Sequence, residues 1–228
     1  MSGLQTIIDK CDSISIDRRN VVGIQYTRNE TPRVSVTPTK NPWKIRLTMP
    51  NSVRYSEGRA LMEAIDTLDR YLPEQVTFSN VSGMSWMFAY QGTMSNAQIA
   101  NLTVTSYVGN TLTLGNLPPI AGTRVLFEPN DLIQIVGFPY PFTVETQVLR
   151  GLDATVTVQT HRPNIMSTSV DGYGIVVGNA CEWNFFCPNM PTYKLIPGAP
   201  LYSNGVKTNN AVLEWSDNFY LFEYVSAA

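Results

Sequence analysis

The chain has 228 residues and a formal net charge of −2 at neutral pH, and 15% of its residues are charged, against about 25% in a typical soluble domain. A net charge so close to zero excludes the strongly basic surface with which proteins grip nucleic acid. The length is sufficient for a real hydrophobic core in one large or two small domains. The low charge also indicates a surface that is partly covered by protein partners.

The cysteines and the N-terminal segment bear on the cellular compartment. Cys11, Cys181 and Cys187 are an odd number without the spacing of a disulfide framework. The N-terminal segment lacks an apolar core long enough for a signal peptide, and no segment approaches the ~20 apolar residues of a membrane span. We therefore expect a protein that is made and folded in a cytoplasm and does not enter a membrane.

The first predicted strands are short β-branched runs separated by turn residues. They are VGIQY (22–26), RVSVT (33–37) and WKIRLTM (43–49). In the third run Trp43, Ile45, Leu47 and Met49 alternate with polar residues. This period of two is typical of a strand with one buried face.

A single amphipathic helix is predicted over about residues 56–71, within YSEGRALMEAIDTLDRYL. Leu61, Ile65 and Leu68 recur at the spacing that places them on one face. We expect this helix to lie across the sheet and to cover apolar side chains of the strand at 43–49.

Further strands are predicted along the rest of the chain. They are QVTFS (75–79), MSWMFAYQ (84–91), and runs within RVLFEPNDLIQIV, PFTVETQVLRG, ATVTVQTHRP, GIVV, CEWNFF, TYKLI, AVLEW and NFYLFEYV. The stretch LTVTSYVGNTLTLG is typical of a hairpin with Gly109 and Asn110 at its turn. We expect the C-terminal strand NFYLFEYV to return to the first sheet.

These elements predict a mainly β fold in two parts. Residues 98–163 carry many short strands without a helix, which is typical of a small barrel or sandwich module. Residues 1–97 together with 164–228 form the other β domain, which contains the helix.

Residues that could carry chemistry are few. His161, the one histidine, is either a general base or metal ligand, or a hydrogen-bonded turn residue, and the absence of a serine elbow favours the turn. Cys181 and Cys187 lack the ligand spacing of a zinc site, so we expect core cysteines. Glu128 and Asp131 bracket a turn and could form a glycosidase or metal site, but their position favours capping of that turn. We predict no catalytic residue, no cofactor and no metal.

Aromatic residues are concentrated near the C-terminus. They are Trp183, Phe185, Phe186, Trp215, Phe219, Tyr220 and Phe222. No basic residues are interleaved with them, so a core or a protein interface is favoured over stacking on bases.

Two segments resemble tail-tube-like proteins of bacteriophages. The segment TRNETPRVSVTPTKNPWKIRLTMPNSVRYSEGRALMEAIDTLDR (27–70) is similar to the first part of that family, where an extended hairpin and strands precede one helix packed on a β-barrel or sandwich. The segment from Gly109 to Pro163, ending in HRP, resembles the β-rich module of phage tail and baseplate proteins. The resemblance covers about two-thirds of the chain.

The resemblance implies a structural virion protein without enzymatic activity. It implies a ring, commonly a hexamer, at the tail tip or baseplate hub, formed by a distal tail, adaptor or tube-initiator subunit. The implied partners are other copies of the chain and neighbouring tail tube and baseplate proteins. DNA would pass through the channel without specific binding. The protein would reside in the host cytoplasm during assembly and then in the virion tail.

If the chain forms such a ring, the positions of certain residues in the sequence predict which of them lie at its interfaces. The loop with Arg28, Asn29 and Arg33 is expected to contact the next subunit, and the module around Phe127 to Tyr140 is expected to meet a baseplate protein. The alternative is a tail-associated β-module that binds carbohydrate or degrades a cell wall. It is motivated by the C-terminal aromatics and by the pair of acids at 128 and 131.

Overall fold

A computed structural model describes residues 3–17, 22–26, 32–36, 42–50, 53–67, 72–78, 85–119, 124–166, 168–189, 191–196, 200–203, 206–209 and 212–225. The protein is mainly β, with 40% strand and 17% helix, arranged in several small antiparallel sheets. The predicted β class is therefore confirmed. None of the described helices has the length and apolar character needed to cross a bilayer.

The described helices are α1 (Gly3–Asp9), α2 (Tyr55–Asp66) and α3 (Asn96–Asn101), with 3-10 turns at Ser85–Phe88 and Gly178–Ala180. The strands are β1 (Ser13–Asp17), β2 (Val22–Tyr26), β3 (Pro32–Val36), β4 (Lys44–Thr48), β5 (Val53–Arg54), β6 (Glu74–Thr77), β7 (Thr103–Val108), β8 (Thr111–Gly115), β9 (Val125–Phe127), β10 (Leu132–Ile135), β11 (Phe142–Thr143), β12 (Val148–Leu149), β13 (Val156–Gln159), β14 (Ile175–Val177), β15 (Glu182–Phe186), β16 (Tyr193–Ile196), β17 (Pro200–Ser203), β18 (Val206–Asn209), β19 (Val212–Trp215) and β20 (Phe219–Glu223).

The prediction of a single helix is wrong, because the described residues contain three α-helices. The helix α1 is too short for an apolar period to stand out against the surrounding chain. The helix α3 begins at a capping box, in which Ser95 and Gln98 satisfy each other's backbone amides. That box is a sequence signal by which the start of α3 can be predicted.

The chain divides into two compact units. The first comprises residues 1–17, 43–85 and 184–224, and the second comprises 18–42, 86–183 and 225–228. The predicted boundaries were at 98 and 163, so residues 18–42, 86–97, 164–183 and 225–228 lie in the second unit although they were predicted to belong to the first domain. Whether residues 98–163 fold independently stays a prediction.

The first unit is built on a sheet of order β1-β4-β20-β15-β6 in the described part of the chain. Its strand β4 confirms the predicted period of two, since Trp43, Ile45, Leu47 and Met49 are all buried while Arg46 is exposed. The C-terminal strand β20 pairs with β4 in antiparallel register, with Phe219 opposite Leu47. The predicted return of this strand to the first sheet is confirmed.

The helix α2 ends at Asp66, and residues 68–71 of the predicted helix lie outside the described residues. The elements that approach α2 most closely are α1, β5 and β19. The side chains of Leu61 and Ile65 are also outside the described part, so the predicted cover over the strand at 43–49 stays a prediction.

The second unit contains the predicted hairpin, formed by β7 and β8. Gly109 turns the chain with a φ of 56°, in the left-handed region that glycine enters readily. The segment 84–91, predicted as a strand, instead contains the 3-10 turn Ser85–Phe88. That turn buries Phe88 with its ring 5.2 Å from the ring of Trp183 and leaves Trp86 71% exposed. An apolar run without a period of two does not specify a strand.

Candidate functional site

Asp131 connects two loops of the second unit by hydrogen bonds. It follows β9 and the turn at Glu128–Asn130, and it is only 3% exposed. Its Oδ1 accepts a hydrogen bond from the backbone amide of Gln91 at 2.8 Å, and its Oδ2 accepts one from the amide of Glu128 at 2.8 Å. Both carboxylate oxygens therefore satisfy buried backbone donors, which confirms the predicted turn-capping role.

The electrostatics of the acid pair agree with this structural role. Burial raises the pKa of Asp131, while the backbone hydrogen bonds from Glu128 and Gln91 act in the opposite direction. Both carboxylate oxygens of Glu128 accept from the side-chain amide of Gln147, at 2.9 and 3.1 Å. The two acids that motivated the glycosidase alternative are thus engaged in holding the turn.

Tyr90 stabilises the loop that contains Gln91, whose backbone amide donates to Asp131. Its hydroxyl donates to the carbonyl of Leu126 and accepts from the amide of Met94 at 3.2 Å. A Cβ at Gly92 would collide with the Tyr90 hydroxyl and with the Leu126 carbonyl oxygen, so only glycine fits there. Burial raises the pKa of Tyr90 to about 12.

Tyr90→Phe is expected to lower the free energy of unfolding by about 1–2 kcal/mol, because the Leu126 carbonyl and the Met94 amide lose their partner. The raised pKa predicts a second effect. Between the ordinary tyrosine pKa near 10 and about 12, the folded protein retains a proton that the unfolded chain loses, so stability falls as the pH rises. Denaturant titrations across this range should show a shallower fall for Tyr90→Phe. An unaltered slope in Tyr90→Phe would contradict this account.

His161 is held as a turn residue after β13. Its Nδ1 accepts from the backbone amide of Thr143 at 2.9 Å, and its own amide donates to the Thr143 carbonyl at 3.0 Å. A ring nitrogen that accepts from an amide carries no proton, so the imidazole is neutral here. The predicted hydrogen-bonded turn role is confirmed.

The next residue after this histidine is a buried arginine that the sequence analysis did not identify. Arg162 is completely buried, with its guanidinium carbon 5.0 Å from the centre of the Phe142 ring and Nη2 donating to the Pro141 carbonyl at 2.9 Å. The Arg162 carbonyl accepts from Thr160 Oγ1 at 2.9 Å and from the hydroxyl of Tyr107 at 3.3 Å. The cluster joins the β7–β8 hairpin to the chain after β13, and it stabilises the fold.

The cysteines and three of the seven C-terminal aromatics are core residues. Cys181 and Cys187 are both completely buried, which confirms the predicted core role, and burial raises the pKa of the Cys181 thiol. Trp183, Phe185 and Phe219 are also completely buried. In the described part of the chain no three acidic, histidine or cysteine residues are grouped as a metal would require.

The predicted interface residues differ in whether the structure describes them and in how buried their side chains are. Arg28 and Asn29 lie outside the described residues, and Arg33 is described only by its backbone position opposite Gln25 in the β2–β3 pair. Phe127 is completely buried in the core of the second unit, with its ring 6.2 Å from that of Tyr90. It was predicted to contact a partner, but its side chain is inaccessible to one. Tyr140 is partly buried and packs against the same core.

A small exposed apolar patch combines Val136 and Phe138, which lie within the predicted contact region 127–140, with Tyr173, which the sequence analysis did not identify. Val136 is 47% exposed and Tyr173 is 44% exposed, and the ring of Phe138 meets the ring of Tyr173 edge-on at 5.6 Å. The two turns are joined by the Val136 amide, which donates to the Gly174 carbonyl at 3.0 Å. The three side chains therefore offer an accessible apolar surface beside these two turns.

No model of a known protein family matches the sequence, and no curated protein matches it significantly.

Proposed function

We propose that the protein is a structural subunit of a bacteriophage tail. It acts as an adaptor or tube-initiator in a ring, with six copies as the expected number, at the tail tip or baseplate hub around the DNA channel. The single observation that carries this proposal is the antiparallel β2–β3 pair, since β3 lies in the segment 27–70 that resembles the hairpin-bearing first part of the tail-tube-like family.

The pairing register gives this hairpin two unlike faces. Opposite residues of an antiparallel pair lie on the same face. The pairs on one face are Val22 with Val36, Ile24 with Val34 and Tyr26 with Pro32, and those on the other are Gly23 with Ser35 and Gln25 with Arg33. One face is therefore apolar and the other is mainly polar.

A ribbon of this kind needs support from a further surface. Within the described part of the chain, β2 and β3 form a two-stranded sheet of their own. Two strands alone are marginally stable in water. In the proposed ring the adjacent subunit contributes to this support, with Arg28, Asn29 and Arg33 at the contact. Because a closed ring repeats the same contact at every subunit boundary, the hairpin of every copy is supported in the same way.

Two further properties favour a structural role. Asp131, Glu128 and His161, which chemistry would need, are used to hold turns. A net charge of −2 suits a ring through which DNA passes without sticking. The patch of Val136, Phe138 and Tyr173, next to Tyr140, is the surface that we assign to a neighbouring baseplate protein.

Arg28→Glu is expected to give a folded monomer that does not build rings, because a reversed charge at the contact repels its partner. The matched control is Lys10→Glu, which makes the same charge change at an exposed site after α1. Mass photometry and negative-stain images of concentrated protein should show rings for the wild type and for Lys10→Glu. Rings formed equally well by Arg28→Glu would contradict the assignment of this contact.

A further inference from the structure

Strand β6 lies at the edge of the sheet of the first unit, and a side chain forms hydrogen bonds to its outer side. In the described part of the chain β6 is the last strand of the order β1-β4-β20-β15-β6. The amide of Thr77 donates to Gln5 Oε1 at 2.8 Å, and Gln5 Nε2 donates to the carbonyl of Thr77 at 2.9 Å. One side-chain amide thus satisfies both backbone groups of one strand residue.

This pair of bonds imitates a neighbouring strand. A primary amide presents a donor and an acceptor side by side, as the backbone of a paired strand residue does. The N–H and C=O of one strand residue point to the same side, so Gln5 occupies the position at which a further strand would add. An unpaired edge here would be a template for association with another chain.

The position of Gln5 is fixed by the docking of α1. Gln5 Nε2 also donates to Asp9 Oδ1 at 2.9 Å, and the amide of Leu4 donates to Glu74 Oε2 at 2.9 Å, at the other end of β6. Leu4, Ile7 and Ile8 are each no more than 1% exposed. Burial of each such side chain is worth about 1.5–3 kcal/mol, so α1 stays docked and holds the Gln5 amide at the edge of β6.

We propose that Gln5 is an autoinhibitory edge cap, which prevents β6 from pairing with β6 of a second copy of this chain. Two identical antiparallel edges can pair about a two-fold axis, so a second copy supplies a matching strand. Association of the protein is thereby directed away from this edge and towards other surfaces. The inference does not depend on the proposed tail function, since it concerns which edge is blocked whatever the protein assembles into.

The test compares the wild type with Gln5→Leu, which keeps a helix-forming side chain of similar length and removes the amide. Sedimentation velocity over a concentration series, together with hydrogen exchange at the Thr77 amide, gives the readout. In dilute solution the Thr77 amide is expected to exchange at least about tenfold faster. At high concentration a species with twice the wild-type mass should appear.

Two further variants decide whether β6 is the surface involved. Thr77→Pro in the Gln5→Leu background removes the edge donor, so it should restore the wild-type mass, because proline is tolerated on an outer strand edge. Gln5→Ala removes the amide, keeps a helix-forming residue and leaves the outer side of Thr77 open, so it should also associate, and it decides the matter if Gln5→Leu does not fold. Wild-type mass for both single variants at every concentration would overturn the proposal, and so would a dimer that persists with Thr77→Pro.

Discussion

Asp131→Ala is expected to lower the free energy of unfolding of the second unit by about 2–6 kcal/mol. The variant leaves the buried amides of Gln91 and Glu128 without the carboxylate that accepts from them at 2.8 Å each. Each orphaned buried donor costs about 1–3 kcal/mol. Urea denaturation followed by a probe in the second unit measures the loss, and a loss below ~1 kcal/mol would contradict the role of Asp131 as the tie between the two loops.

Asp131→Asn is the matched control, because it keeps one acceptor oxygen in the same shape. One of the two amides retains its partner and the other faces an NH2 group, so we expect a smaller loss of stability than in Asp131→Ala. The raised pKa adds a pH test. The contribution of this carboxyl to stability is fully present below its unfolded pKa and is lost as the pH rises through its higher folded pKa. The difference between the wild type and Asp131→Asn should therefore shrink as the pH rises through this range.

Arg162→Ala is the second change with a large expected effect, a loss of about 2–5 kcal/mol in the free energy of unfolding. The side chain is completely buried, so its removal leaves a cavity beside the Phe142 ring and leaves the Pro141 carbonyl without the Nη2 donor. Thermal or denaturant unfolding of the purified variant measures this loss.

Arg162→Met separates packing from charge. Methionine fills much of the same space and can contact the Phe142 ring, but it cannot donate to Pro141. If packing dominates, Arg162→Met should recover most of the stability that Arg162→Ala loses. Equal losses in the two variants would instead assign the stabilisation to the guanidinium and its hydrogen bonds. An Arg162→Ala protein as stable as the wild type would show that this buried cluster does not support the fold.

Local signals in the sequence predicted the elements that local chemistry determines. The alternation of Trp43, Ile45 and Leu47 predicted β4 and its buried face, because side chains of a strand alternate between its two sides. Gly109 and Asn110 predicted the β7–β8 turn, because glycine enters the left-handed region readily. His161 and Asp131 were predicted as turn residues, and both are.

The predictions that failed depended on tertiary contacts or on patterns too short to interpret. The run at 84–91 forms a 3-10 turn because Phe88 packs on the Trp183 ring, a contact far along the chain. Phe127 was treated as accessible because an apolar residue in a short strand belongs equally well to a core or to an interface, and only the packed structure distinguishes them.

The structural clusters were beyond sequence reasoning for the same reason. From the sequence, Arg162 is expected to be exposed to solvent, since arginine is seldom fully buried. Only the folded structure shows that its guanidinium lies over the Phe142 ring. The bonds between Gln5 and Thr77 join residues 72 positions apart. No local sequence pattern predicts that a glutamine of a short helix will form hydrogen bonds to the edge of a strand.

The measurement that tests the tail proposal most directly is immunogold electron microscopy of phage particles prepared from cells that make this chain. An antibody raised to the purified protein is applied to intact particles and to disrupted ones. The proposal predicts gold concentrated at the distal end of the tail. Particles without label, both intact and disrupted, would contradict it.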